Sequence, residues 1–198
     1  MVLVELSTVP SAALPVSDFG DHLRLGTGFA NDGSQDAVLE SYLRAALAAI
    51  EARIGKALFQ KTYSWQLTAW RECASQGLPI APVVSITSVK TTDLVGAVTT
   101  HDANAYYLQK DSQRPRLKAV GSALPDIPSD GVVDIEFEAG FGPAWSDIPV
   151  DLAQAVFLLA AHYYENRLGQ GDRGAVMPFG VMALIETYRT VRVLGGLT

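Results

Sequence analysis

The amino-acid sequence predicts an α+β fold that is mainly helical, a small helix bundle with an inserted antiparallel β-region. Two long segments have helical character: residues 36–54 repeat apolar side chains every three or four positions, and residues 149–167 have an apolar centre. Between them, short alternations of apolar and polar residues are separated by proline and glycine, which is typical of antiparallel strands. We therefore predict one domain over residues 1–198, whose parts are a helical core at about 17–56 and 147–193, a β-rich insertion at about 59–140 and a flexible tail at 194–198.

The composition excludes several classes of protein. Apolar residues make up 48% of the 198 residues and charged residues 18%, which is typical of a globular protein and not of a disordered one. With 15 basic and 21 acidic residues, the net charge of −6 argues against a protein that coats nucleic acid through phosphate contacts. The single cysteine, Cys73, excludes an intramolecular disulfide and a cysteine-based zinc finger. We see no signal peptide and no apolar run of about 20 residues, so we expect a soluble protein made in a cytoplasm, with no membrane partner.

The N-terminal third is predicted to contain a short helix and the first long helix. Residues 1–16 include two prolines and are predicted to form an extended lead-in. A short helix capped by Ser17 is predicted to follow and to end at Leu23. The periodic segment 36–54 is then predicted to form one helix, which Gly55 ends as the first residue beyond its C-terminus.

The middle third is predicted to contain five strands, at 59–70, 83–91, 105–109, 116–120 and 132–139. In the strand at 83–91, Val84 and Ile86 are predicted to share one face. In the last strand, Asp134, Glu136 and Glu138 alternate with apolar residues, so their face is expected to be solvated, with cation binding as the alternative. The densest basic group shares one predicted strand face and either contacts phosphate or an acidic partner or protects a sheet edge: Arg114, Arg116 and Lys118.

The second long helix is predicted to open at Pro149 and to run through Arg167. Its centre at 156–161 is apolar all the way round, and a helix without a polar stripe must be buried on several sides. Since a chain of this length has few elements to surround it, we expect a neighbouring subunit to cover part of the helix. The residues assigned to that subunit interface are Val156, Phe157, Leu159, Tyr163 and Tyr164. A final helix is predicted over 181–193.

Candidate residues for catalysis or metal binding are few. His162 and Glu165 lie three positions apart on a helix, a spacing that can place both on one metal, but local hydrogen bonding is the favoured alternative. Cys73 could be an activated thiol, although a free cysteine is more often a small buried apolar residue. The segment 26–28 has two glycines but is too short for a phosphate-binding loop. We predict no catalytic, cofactor-binding or metal-binding site.

A series of short motifs covers most of the chain, from about Val16 to Arg192. In the C-terminal third these are Ala139-Gly-Phe-Gly, Ile148-Pro, Ala161-His-Tyr-Tyr-Glu-Asn-Arg167, Pro178-Phe-Gly180 and Tyr188-Arg189. Earlier in the chain they are His22-Leu-Arg24, Ile50-Glu-Ala-Arg-Ile-Gly55, Gln60, Trp65, Leu78-Pro and Pro82-Val-Val-Ser-Ile-Thr-Ser-Val89. In their order and spacing they resemble the head–tail connector (adaptor) family of long-tailed phages, prophages and phage-derived gene transfer agents. The segments 1–15, 70–76 and 169–175 depart from that pattern.

The resemblance implies a structural protein of the particle, without enzymatic activity or cofactor. Copies would form a dodecameric ring beneath the portal vertex, join the portal protein to a stopper (head-closure) or tail protein, and extend the DNA channel without sequence-specific DNA binding. The protein would be assembled in the bacterial host cytoplasm and would lie at the head–tail interface of a virion or gene transfer agent particle. In such families the C-terminal segment engages the portal, which here gives the candidates Tyr188, Arg189, Arg192, Leu194 and Leu197.

Two alternatives to an adaptor stay open at this point. One is a stopper or tail-completion protein of the same neck region, and the other is a small metal-assisted enzyme that uses His162 and Glu165. The acidic balance suits a channel through which DNA slides, because a basic lining would bind phosphates. The low charge would then reflect apolar surface reserved for neighbouring subunits.

Overall fold

A computed structural model of the chain describes residues 1–25, 35–166 and 177–189. The chain divides into two compact units, each made from two separate stretches of sequence. We call the first, Met1–Val9 with Phe59–Pro143, the β-unit, and the second, Pro10–Leu58 with Ala144–Thr198, the helical unit. In the described part of the chain, no helix is long and apolar enough to cross a membrane.

The β-unit contains two antiparallel sheets. Its strands are β1 Val2–Glu5, β2 Lys61–Leu67, β3 Ser75–Gly77, β4 Val83–Thr92, β5 Val98–Thr100, β6 Tyr106–Gln109, β7 Arg116–Ala119 and β8 Val132–Ala139. A five-stranded sheet has the order β1-β2-β8-β4-β5, and a three-stranded sheet has the order β3-β7-β6. The strand at 132–139 therefore lies at the centre of the larger sheet, with a partner on each side.

The core of the β-unit lies between the inner faces of these sheets. In β8 every second residue is fully buried, and Phe137 stacks on Tyr63 of the neighbouring β2 with ring centroids 5.7 Å apart. From the smaller sheet, Leu117 and Tyr106 are buried as well. The Tyr106 hydroxyl forms a hydrogen bond with the backbone of Val89 in β4. The two sheets thus share one core, and the alternate residues of β2 and β8 face away from it.

The helical unit is built around two long helices. Its described helices are α1 Val16–His22, α2 Asp36–Ile54, α3 Val150–Glu165 and α4 Phe179–Ile185. The predicted bounds of α2 are confirmed, and Gly55 ends it in the left-handed conformation with φ of 69°. Helix α3 contacts both α2 and α4, and α1 contacts α2. The apolar stripe of α2 is buried in this packing.

The prediction of a mainly helical fold is wrong. Of the described residues, 36% are helical and 28% are in strands, and the antiparallel sheets have five and three strands. The strands at 1–16 and around 75 and 98 were not expected because β1, β3 and β5 have only four, three and three residues. Such short segments carry too little alternation to be recognised, and they are strands because partner strands supply their hydrogen bonds.

Two predicted helix ends also differ from the structure. The cap of α1 is Pro15, and Ser17 lies inside the helix without capping it. The final helix begins earlier than predicted, and its α-helical part ends at Ile185, followed by a 3-10 turn, Glu186–Tyr188. Residues 190–193 of that predicted helix lie outside the described residues, as does Arg167 at the predicted end of α3.

The inward face of β4 differs from the predicted one. Val84 is exposed, whereas Val83 and Val89 are buried. The pairing of β4 with β8 has two register irregularities, between Val83 and Ser85 and between Ile86 and Ser88. Each inserted residue reverses the face on which the following side chains lie, so a strict alternation across this strand predicts the wrong set.

Candidate assembly surfaces

The most apolar helix, α3, is covered on several sides by its own unit. Val156 and Leu159, two of the five predicted interface residues, are fully buried. The other three, Phe157, Tyr163 and Tyr164, are half-buried. Val156 and Leu159 therefore belong to the core of the chain itself, and only the half-buried residues present surface to a neighbour.

An aromatic cluster surrounds Phe157. Its ring stacks on Trp145 with centroids 5.2 Å apart, and Phe19 and His22 lie at 5.7 Å and 5.5 Å on α1. Offset and tilted ring contacts of this kind stabilise aromatic side chains beyond the burial of their area. More elements surround α3 than the sequence predicts, because α1 contributes rings from a distant part of the chain and Trp145 contributes one from the segment before the helix.

The first residues of α3 and α4 are large, apolar and exposed. Val150 is 85% exposed and Phe179 is 81% exposed, and each directly follows the proline that opens its helix. Neither residue was predicted from the sequence to be an exposed apolar site, since both lie at helix starts and outside any periodic stripe. The signal that could have found them is an apolar residue placed directly after a helix-opening proline.

The turn between β4 and β5 presents a second exposed apolar pair, Leu94 and Val95, which are 75% and 87% exposed. The Asp93 carboxylate orders this turn, because it accepts hydrogen bonds from the backbone N–H groups of Val95 and Ala97 at 3.0 Å and 2.8 Å. Gly96 supplies the positive φ of 87° that the turn requires. The two apolar side chains are therefore held on an ordered turn.

The C-terminal segment is attached at Tyr188. Its hydroxyl donates a hydrogen bond to Asp151 Oδ1 at 2.8 Å, in the first turn of α3. Burial and then this hydrogen bond raise the pKa of Tyr188 to about 12, because both disfavour the phenolate. Arg189 is exposed and forms an ion pair with Glu186 at 2.9 Å. The other candidates for portal binding, Arg192, Leu194 and Leu197, lie outside the described residues.

The residues of the metal-enzyme alternative line a surface depression of about 360 Å³. His162 Nδ1 lies 3.1 Å from the Asn166 amide nitrogen, whereas its buried Nε2 has no hydrogen-bond partner among the described residues. Among all the residues that the structure describes, no three His, Cys, Asp or Glu side chains are grouped so that they could hold a metal ion. The lining residues are His22, Leu158, Ala161, His162, Glu165, Pro178, Gly180 and Val181. The described residues of this depression therefore give no support to metal-assisted chemistry.

The acidic residues of β8 form a paired network rather than an open solvated row. Their carboxylates accept hydrogen bonds from neighbouring strands and the segment before β2: Asp134 from Gln66, Glu136 from Lys90 and Ser88, and Glu138 from Gln60 and Ser85. The Lys90 ammonium and then the Ser88 hydroxyl lower the pKa of Glu136. Since the oxygens already have protein donors, the row offers a negative face and not a prepared cation site.

The basic residues of β7 do not protect a sheet edge. The strand pairs with β3 on one side and β6 on the other, so the interpretation of Arg116 and Lys118 as edge protection is wrong. Arg116 forms an ion pair with Glu72 at 3.2 Å. The error has a simple cause, because β3 was too short to be predicted.

Cys73 is exposed and is not the buried apolar residue that a free cysteine more often is.

No protein-family model and no curated protein sequence matches the chain. Solved structures of gene transfer agent (GTA) particles do match, over 99% of this chain and 99% of theirs. A chain of the neck of an empty GTA particle, computed with C6 symmetry, is 57% identical with a TM-score of 0.90. A chain of the virion of a native GTA particle is 57% identical with a TM-score of 0.87. A chain of the neck of a native GTA particle, computed with C12 symmetry, is 53% identical with a TM-score of 0.85.

Proposed function

This chain belongs to the head–tail connector family of phages and gene transfer agents, as a structural protein of the particle neck, and we propose that it is the adaptor of that neck. Copies form a dodecameric ring that joins the portal vertex to the stopper or tail. The observation that carries the proposal is the identity of 57% over 99% of the chain to a protein of a GTA neck. At that identity and coverage the whole fold is shared.

The ring is supported by the symmetry of the related assemblies. Necks that contain the related chains were computed with C6 and C12 symmetry, and both are compatible with twelve copies around one axis. A closed ring of identical subunits needs two different complementary surfaces on each copy. The chain has candidates for such surfaces in exposed apolar residues at the β4–β5 turn and at the starts of α3 and α4.

The channel role is supported by the charge of the chain. With 21 acidic and 15 basic residues, the chain has a net charge of −6, and a ring with this balance lets DNA slide without retaining it. Sequence-specific DNA binding is not part of the proposal. Kinship with a neck protein likewise favours a structural role over an enzymatic one.

The portal contact is proposed for the C-terminal segment from Tyr188 onwards. The hydrogen bond from Tyr188 to Asp151 fixes the point from which the segment leaves the helical unit. Arg189 is exposed directly after that point and contributes positive charge, and Arg192, Leu194 and Leu197 follow in the sequence. Tyr188 thus positions the segment, while the arginines and leucines bind the portal.

The test is co-purification with portal rings. We expect the full chain to bind portal rings in the absence of other neck proteins, and a chain that lacks residues 194–198 to bind at least about tenfold more weakly, as does the variant with Arg189→Glu and Arg192→Glu. Arg53→Glu, an exposed charge reversal at the end of α2, is the matched control and is expected to bind normally. Unchanged binding of both altered chains would refute the portal contact. Binding of the full chain only after another neck protein is present would instead support a stopper.

A further inference from the structure

The two sheets of the β-unit carry opposite charge on their outward faces. On β8 of the five-stranded sheet, the inward residues are apolar, and three of the four outward residues are acidic: Asp134, Glu136 and Glu138. On β7 of the three-stranded sheet, Leu117 is fully buried, so Arg116 and Lys118 on either side of it face outward. We call these the acidic face and the basic face.

The acidic face is fixed in place by cross-strand pairing. Ser88 and Lys90 of β4 bind Glu136, and Gln66 of β2 binds Asp134. Because three carboxylates share this face with one lysine, Lys90, the face keeps a negative excess. The register of β1 with β2 places Val2 and Val4 on the same side as Gln66 and Ser64, and both valines are exposed.

The basic face has the complementary composition. Lys118 lies opposite Tyr107 of β6 in the antiparallel register, and Tyr107 is exposed. Gln109 lies opposite Arg116 on the same side. Arg114 is exposed just before the strand. The three basic side chains share this face with one carboxylate, Glu72, which pairs with Arg116 at 3.2 Å. The face therefore keeps a positive excess beside an exposed aromatic ring, as the acidic face keeps a negative excess beside exposed valines.

We propose that the acidic face of one copy docks on the basic face of the next copy around the ring. The inference rests on the proposed ring, and it names the contact that closes it. A ring contact is heterologous, so unlike faces of identical chains meet, and opposite charges then lie against each other at every contact. A two-fold contact through either face would instead place like charges together, which charge repulsion opposes.

The test uses two charge reversals in the full chain, Lys118→Glu on the basic face and Glu138→Lys on the acidic face. Each variant alone meets like charge at every ring contact, so we expect at least about tenfold less chain per purified particle than for the wild type. Together the two variants can alternate around an even-numbered ring, since the carboxylate introduced at position 118 of one would meet the ammonium introduced at position 138 of the other. We therefore expect cells that produce both variants to recover at least about half of the wild-type amount.

Controls separate this contact from folding and from the proposed function. Asp126→Lys reverses an exposed loop charge on neither face and is expected to be incorporated normally. Circular dichroism of each purified variant checks that it folds, and the rescue by co-production is independent of that check because misfolded chains would not rescue each other. Normal incorporation of either single variant, or no rescue by the pair, would overturn the contact. Loss from Lys118→Glu but not from Glu138→Lys would assign the basic face to DNA instead.

The proposed function has its own readout in the same preparation. If the wild-type chain were missing from purified particles, the neck assignment itself would fail. If the wild-type chain is present and the reversals have no effect, only the pairing of the two faces fails.

Discussion

The two units of this chain arrange their charged groups in different ways. In the described part of the helical unit, Glu40 pairs with Arg44 one turn away on α2, and Glu186 pairs with Arg189 three positions away. In the β-unit the ion pairs join residues far apart in sequence: Lys90 and Glu136 are 46 positions apart, and Lys61 and Glu5 are 56 apart. These two pairs of the helical unit form within one helical turn, whereas the pairs of the β-unit depend on strand register. A surface built by register can carry one charge sign per face, which the contact proposed between copies uses.

The units also differ in what they expose. The apolar helix α3 is enclosed by aromatic rings and neighbouring helices of its own unit. The β-unit has fully buried core residues too, but its outward faces carry half-buried charges and exposed apolar residues side by side. The β-unit thus offers the charged outward faces used by the proposed contact between copies, whereas the helical unit offers the exposed apolar side chains of Val150 and Phe179.

The largest effects on stability are expected from truncating one core side chain in each unit. Phe137→Ala in β8 is expected to lower the free energy of unfolding by about 3–5 kcal/mol, and Leu159→Ala in α3 by about 2–5 kcal/mol. Urea unfolding followed by tryptophan fluorescence measures both losses. In a Trp145→Phe background the fluorescence reports the β-unit alone, because the remaining tryptophans all lie there. Val84→Ala, at an exposed position of β4, is the control. A loss below about 1 kcal/mol for either core variant would show that its unit is not packed as described.

A smaller effect is expected at the attachment point of the C-terminal segment. Tyr188→Phe removes the hydrogen bond to Asp151 and is expected to cost about 0.5–1.5 kcal/mol. The effect depends on pH, because the pKa of Tyr188 is raised to about 12 in the folded protein. The contribution is complete below the ordinary tyrosine pKa of about 10 and is lost as pH rises through 12.

The measurement for Tyr188 is the difference in unfolding free energy between the wild type and Tyr188→Phe from about pH 8 to about pH 12. We expect that difference to shrink over the upper two pH units. Tyr107→Phe, at an exposed tyrosine of the β-unit, is the control for the loss of a phenol hydroxyl and is expected to change the free energy of unfolding by less than about 0.5 kcal/mol at about pH 8. A difference that stays constant over the whole range would contradict the hydrogen bond to Asp151.

The smallest effect is expected from one charge of the acidic face. Glu136→Gln weakens the pairing with Lys90 and Ser88 and is expected to cost less than about 1 kcal/mol at pH 7, since the pair is partly solvated. The pKa of Glu136 is lowered, so its stabilising contribution is present above the ordinary carboxyl pKa and is lost as pH falls through the lowered value. Thermal unfolding at about pH 7 and at about pH 3 should therefore show the larger difference between variant and wild type at the higher pH. A larger difference at the lower pH would contradict a lowered pKa of Glu136 in the folded protein.

The sequence was most informative where structure is local. The bounds of α2 and the left-handed Gly55 follow from periodicity and one glycine, and the alternation in β8 follows from its own eight residues. The short strands β1, β3 and β5 depend on partners elsewhere in the chain, so local patterns could not reveal them. The two irregularities in β4 reverse a face without any proline or glycine at the inserted residues Val84 and Thr87.

The candidate surfaces also divide into features that the sequence predicts and features that depend on tertiary packing. The family resemblance indicated the neck, and composition indicated the acidic balance, but neither identified which residues of α3 stay exposed. Val156 and Leu159 were assigned to an interface because the helix is apolar all round, whereas burial by α1, α2 and α4 depends on tertiary packing. The basic face was misinterpreted for the related reason that its neighbouring strand β3 was not predicted.

The central claim is that copies of this chain form the ring between portal and tail, and a reconstruction of the particle neck tests it most directly. We expect one ring of twelve copies of this chain at the head–tail interface, with Glu138 of each copy turned towards Lys118 of the next. A neck in which this chain is absent, or in which it forms no closed ring next to the portal, would contradict the account.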